Sequence, residues 1–163
     1  MARSLFNLAQ VVAALVLAAF VSLINAAAPG TSACDKACKV AGAQAYVAAV
    51  ISHADKDINR IPMADNITRF EKLNGGSYAL TANGTKSLKQ SLKFGNTAFF
   101  VTGSAEPDRG LGNYTVLRNG TVVADYKIKA GLLGIGFVTS TVHERFDYTT
   151  TGLIYNITAE ATA

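Results

Sequence analysis

The feature that most constrains this chain is the stretch 113–159, where polar and apolar residues alternate on either side of turn-forming dipeptides. Residues 114–118 and 121–129 flank Asn119-Gly120, a pair that tolerates positive φ at both central positions of a tight hairpin turn. In the second arm Val122, Ala124, Tyr126 and Ile128 share one face, and Asp125, Lys127 and Lys129 share the other. That period of two belongs to a half-buried strand. Residues 139–149 and 152–159 repeat it across a Thr-rich turn ending in Gly152. The C-terminal half therefore reads as an antiparallel meander with one buried face.

The other end of the chain carries a processing signal. Arg3 supplies a positive start, residues 11–24 an apolar run, and Asn25-Ala26-Ala27-Ala28 a small-residue cleavage zone. Residues 1–26 are read as a signal peptide and 27–163 as a single domain of a secreted, extracellular protein. The apolar run falls short of the roughly 20 residues a membrane span needs, and no apolar tail follows Glu160, so no stable membrane anchor is expected. Removing Arg3 from the 15 basic residues leaves 14 against 11 acidic ones, net +3. That balance is too mild to point to nucleic acid, and Lys86, Lys89 and Lys93 recur along one helix face in the manner of a solvated surface.

The only two cysteines, Cys34 and Cys38, lie one helical turn apart. In an oxidising compartment they read as a disulfide that staples the start of a helix, in a loop too small to add much stability. The alternative is a metal site, for which no second cysteine pair exists and His53 and His143 are distant in sequence; no metal is expected. Five Asn-x-Thr sequons occur, at Asn66, Asn83, Asn113, Asn119 and Asn156, which fits a eukaryotic secretory route with N-glycosylation. Asn156 falls on the polar side of its strand, opposite Leu153, Tyr155 and Ile157. The competing reading is a Thr-rich bacterial exported protein in which the sequons carry no meaning.

Before the meander, residues 35–54 read as an Ala-rich helix with Val40, Val47, Val50, Ile51 and Ala54 on one broad face. Gly42, Tyr46, Ala49 and His53 form a second stripe beside it, with Tyr46 and His53 roughly 10 Å apart. Residues 55–66, holding Pro62, suit a short helical turn or a loop folded on the core, and 67–73 a short strand broken by Asn74-Gly75-Gly76. Residues 81–95 read as a second helix with Thr85 as N-cap and Gly95 as its stop. Residues 98–102 follow as a strand and 103–112 as a polar loop. The glycine-rich segment 130–137 is expected as a wide hairpin loop packed on the core.

Helices first and a closing meander is the order of NTF2-like and SnoaL-like domains, and particular residues carry that resemblance. Thr141-Val-His-Glu-Arg-Phe-Asp147 and Thr151-Gly-Leu-Ile-Tyr-Asn-Ile157 resemble the last two strands of SnoaL-like domains. Cys34-Asp-Lys-Ala-Cys38, Tyr46-Val-Ala-Ala-Val-Ile-Ser-His53 and Ile61-Pro-Met-Ala-Asp-Asn66 are similar to the N-terminal signature of an uncharacterised family of exported SnoaL-like domains of fungi and bacteria. Of that family's Thr-Glu-Asn triplet only Glu71 is matched, between Phe70 and Lys72. The resemblance implies an α+β cone with N-terminal helices packed on a curved antiparallel sheet. It also implies an apolar pocket for a small apolar or aromatic molecule, used without a cofactor by relatives that move protons.

Within such a cone Val138, Val142, Phe146 and Tyr148 share a face with Glu144, whose burial among apolar side chains would tune it toward neutral pH as a general acid or base. Glu144 is thus the first catalytic candidate, with Tyr46 to hydrogen-bond a ligand oxygen and His53 to shuttle a proton. Glu71, Tyr126, Val142 and Phe146 are expected to line the pocket. His143 and Arg145 fall on the opposite face. Serine-nucleophile, phosphate-loop and zinc-protease motifs are absent from the sequence. Three functional readings follow: a cofactor-free isomerase, cyclase or dehydratase, a non-catalytic binding or carrier module, and a secreted glycoprotein acting through its surface, as a homodimer across the open sheet face.

Overall fold

The computed structural model of the chain describes residues 33–95, 100–102, 113–132 and 135–163. The segment read as a signal peptide and the loop expected at 103–112 lie outside them, as do the first two residues of the strand expected at 98–102. The first helix, α1 (Lys36–Ser52), opens where Asp35 accepts the Cys38 backbone N–H at 2.8 Å through Oδ1, satisfying one of the N–H groups that a helix start leaves without a partner. It closes at His53, which adopts the left-handed conformation (φ 53°) and returns its backbone N–H to Ala49. Cys34 and Cys38 are joined as a disulfide, which removes the metal alternative for this pair.

A short helix α2 (Asp55–Ile58) leads to β1 (Met63–Leu73) and β2 (Ala79–Asn83). Helix α3 (Thr85–Gln90) then runs into a π-helical turn (Ser91–Gly95). The second helix is thus shorter than expected at 81–95, because residues 79–83 pair with β1 as a strand. Its N-cap is Gly84, with no capping side chain. Thr85 instead sends its hydroxyl to the Ala64 carbonyl at 2.9 Å. β1 also begins at Met63, inside the segment expected as a turn or loop.

The remaining strands are β3 (Phe100–Thr102), β4 (Asn113–Val116), β5 (Val122–Leu132), β6 (Ile135–Tyr148) and β7 (Ile154–Thr162). The glycine-rich segment expected as a wide loop is mostly extended: β5 and β6 stay paired out to Leu132 and Ile135. The described strands form one sheet in the order β2-β1-β7-β6-β5-β3, with β4 also on β5. Neighbours are antiparallel except β1 and β7, so the last strand enters the middle of the sheet beside the first.

Period-two alternation assigns the faces as expected. Val122, Ala124, Tyr126, Ile128, Val142, Glu144 and Phe146 are buried under the helices, whereas His143 and Arg145 face solvent. On β7 a register irregularity opposite Asp147 and Tyr148 turns Ile154 inward and leaves Leu153 and Tyr155 exposed, so Ile157 alone of the three expected core residues is buried. Helix α1 buries Gly42, Ala43, Tyr46, Val47, Ala49 and Val50. The stripe through Tyr46 is therefore the core face, and Val40, Ile51 and Ala54 lie at its margin. Small residues permit this approach: a Cβ on Gly42 would sit 3.0 Å from Pro62 Cγ and 3.2 Å from the Tyr148 hydroxyl. Among the described residues no helix is long and apolar enough to cross a membrane.

Candidate functional site

Glu144 projects from β6 into the space beneath α1. Its cross-strand neighbours are Ala124 on β5 and Ala159 on β7, two small side chains that leave the carboxylate uncovered by the sheet itself. It is 2% exposed. Tyr126, one inward position further along β5, donates its hydroxyl to Glu144 Oε2 at 2.7 Å. Tyr46 reaches down from α1, its ring meeting Phe146 edge-on with centroids 5.3 Å apart.

Arg69, from β1, completes the cluster. It is 1% exposed. Its guanidinium donates to Tyr46 Oη (3.1 Å), Thr81 Oγ1 on β2 (3.0 Å), Ser91 Oγ in the π-helical turn (2.7 Å) and Glu71 Oε2 (3.3 Å). A buried arginine is sustained only by partners of this number, because an unpaired buried charge is costly. Four elements thus converge on one side chain, and the pairing with Glu71 is the ion pair between these strand neighbours.

Electrostatics follow from this geometry. Burial raises the Glu144 pKa to about 7 against the opposing pull of the Tyr126 hydrogen bond and the Arg69 charge, and the Glu71 carboxylate adds to the rise. Burial also pushes the Tyr46 hydroxyl well above the ordinary tyrosine range, more than the neighbouring Arg69 lowers it. Tyr126 moves the same way through burial and the charge of Glu144. Both phenols are therefore proton donors at neutral pH, and Glu144 is the group in the cluster that exchanges a proton there. Tyr114, on β4, is raised by burial and by the same carboxylate, and its hydroxyl has no partner among the described residues.

Tyr46, Arg69, Glu71, Tyr126, Val142 and Glu144 line one cavity of about 50 Å³. A water molecule's share of the liquid is about 30 Å³, and ligand pockets run from about 300 Å³ upward. The described residues thus line a small, partly open space whose apolar wall carries a few ionisable groups, Arg69, Glu71 and Glu144, beside the phenols of Tyr46 and Tyr126. A larger depression of about 290 Å³ lies on the outward face among Tyr78, His143, Arg145, Asp147, Thr158 and Glu160. There Glu160 pairs with Lys72 and accepts from the Tyr78 hydroxyl, and His143 pairs with Asp125.

Of the residues singled out in the sequence, Glu144, Tyr46, Glu71, Tyr126 and Val142 meet at this cavity. Phe146 is wholly buried and supports Tyr46 from below. His53 does not line the cavity: it ends α1, and its Nδ1–H donates to the Leu92 carbonyl at 2.7 Å. Thr81 and Ser91 were missed because both fell within the segment read as one helix, and Tyr114 because its alternation is that of any half-buried strand. Among the described residues no group of three His, Cys, Asp or Glu side chains is placed to hold a metal ion.

No protein-family model and no curated sequence matches the chain. Solved structures do match it in shape. An NTF2-like protein from Anabaena variabilis superposes with a TM-score of 0.57 at 13% identity, over 77% of this chain and 87% of that one. A SnoaL-like family protein from Agrobacterium tumefaciens gives 0.55 at 11% identity, over 78% and 99%. BvnE pinacolase from the fungus Penicillium brevicompactum gives 0.53 at 12% identity, over 85% and 89%. The fold is the α+β NTF2-like, SnoaL-like cone, present in bacterial and fungal proteins alike, with its N-terminal helices on a curved sheet.

Proposed function

We propose that residues 27–163, exported after removal of 1–26, form a single domain that acts without a cofactor on a small organic molecule by proton transfer at Glu144. One observation carries this reading: a fully buried carboxylate, raised to about pH 7 by burial, stands at a cavity wall beside two phenol donors. A base with that pKa can take a proton from carbon next to a carbonyl and return it elsewhere on the same molecule, which is the core step of isomerisation, cyclisation or dehydration. Tyr46, whose oxygen accepts from Arg69 and whose proton remains to be donated, steadies the charge that appears on oxygen, while Tyr126 holds Glu144 in place. The fold, which BvnE pinacolase shares, supports the reading further.

Hydrogen–deuterium exchange tests it without a known substrate. A panel of small ketones and diketones in heavy water, followed by NMR, should lose α-protons faster with the wild-type chain than with Glu144→Gln. Equal rates for the two proteins would refute proton transfer at Glu144.

A second reading is favoured by the self-sufficiency of the cluster, in which Arg69 and Glu144 are already satisfied by protein groups around a small cavity. In it the domain binds a molecule without altering it. Native mass spectrometry of the protein from its own host then finds an unaltered ligand retained, whereas turnover leaves a product.

A further inference from the structure

The fold separates one of the five sequons from the other four. Asn66 on β1, Asn83 at the end of β2, Asn113 on β4 and Asn119 in the β4–β5 turn all have exposed side chains. No side-chain amide of these four donates a hydrogen bond among the described residues. Asn119 uses only its oxygen, which accepts the Thr121 backbone N–H at 3.2 Å. The nitrogen that would carry a sugar therefore faces solvent at each.

Asn156 is different. It lies on β7, with β1 on one side and β6 on the other, and is half-buried. Its Nδ2 donates to Asp147 Oδ2 at 3.0 Å, and its Oδ1 accepts from Thr68 Oγ1 at 3.0 Å. Asp147 Oδ1 in turn accepts from Thr121 Oγ1 at 2.6 Å. The Asn156 amide is the middle link of a side-chain chain that runs from β1 across β7 and β6 to the β4–β5 turn. Both strands that flank β7, β1 and β6, precede it in the chain, so they are already synthesised when the Asn156 sequon meets a glycan-transferring enzyme, and β7 seats between them.

We propose that Asn66, Asn83, Asn113 and Asn119 are N-glycosylation sites and that Asn156 is not, an inference that rests on the export reading above. The sugars stand on the outward face and edges of the sheet, away from the Glu144 cavity. The test is expression of the full chain in a eukaryotic secretory host, once with its own residues 1–26 and once with these replaced by a leader of established export. Enzymatic glycan release in heavy-oxygen water, followed by peptide mass spectrometry, marks each asparagine that carried a sugar. Label at the four exposed asparagines and none at Asn156 is the expected pattern. Label at Asn156, or its absence from any of the other four, overturns the proposal. If the chain with its own leader stays inside the cell while the replaced-leader chain shows the four-site pattern, the export reading fails and the site assignment stands.

Discussion

Glu144 has the folded pKa of a group that the fold prefers protonated. Its ordinary value is 4.5 and burial takes it to about 7. The stability gained from the neutral carboxyl is fully present below about pH 4.5, declines as pH rises through 7, and is absent above that. A difference of this size corresponds to about 3 kcal/mol. Glu144→Gln cannot ionise and leaves the Tyr126 hydrogen bond an acceptor. Denaturant melts of both proteins should therefore show the wild type losing about 3 kcal/mol relative to the variant between about pH 4 and pH 8. Parallel pH profiles would show instead that water reaches the carboxylate. Glu144, Tyr126 and Val142 were legible in the sequence because strand alternation alone assigns them one face, and Tyr46 because helical spacing sets it beside Val50. Arg69 at the centre of the cluster was legible only in part. Its alternation with Glu71 about Phe70 on a short strand suggests their ion pair at the pocket, but its other partners Tyr46, Thr81 and Ser91 come from three elements that only the tertiary fold assembles.

The turn between β6 and β7 shows how an element is held from outside. Gly152 has φ +85°, and a Cβ there would lie 2.6 Å from Cys34 Sγ and in collision with Cys34 Cβ. The disulfide, whose loop is too small to matter through chain entropy, thus works as a packing surface for this turn. Gly152→Ala is expected to cost on the order of 2 kcal/mol or more, from the left-handed backbone and the displaced sulfur together. Urea denaturation measures it, and a midpoint unchanged from wild type would mean the two surfaces do not press on each other. Elements whose signal is local, α1 and the strands of the meander, were legible nearly to their ends. Two were not. Residues 79–83 carry helix-forming Ala and Leu but are recruited as an edge strand by β1, and Gly131 and Gly136 extend because β5 and β6 pair them with each other. In both cases a partner far along the chain overrides the local preference.

At the scale of the molecule the order of the sheet decides cooperativity. β7 supplies both the parallel partner of β1 and the antiparallel partner of β6, so among the described strands the two halves of the sheet are joined through β7. A chain ending at Gly152 is expected to show no cooperative thermal transition by circular dichroism; a sharp one would mean that β1 and β6 close on each other directly. The helices-then-meander order made the fold class legible, whereas the parallel insertion was not, since no local pattern reports pairing between strands so distant in sequence. The same strand separates the ends of the domain. Cys34 rests on Gly152 at the start of β7, and Ala163 donates its backbone N–H to Asn74 Oδ1 (3.0 Å) at the finish, a nine-residue strand or roughly 30 Å away. Leu73 and Ala161, neighbours at that finish, form part of the cavity wall. A tag or tether joined behind Ala163 therefore emerges on the rim of the cavity, while one joined ahead of Cys34 leaves from the opposite end, the side by which to immobilise the protein in a ligand screen.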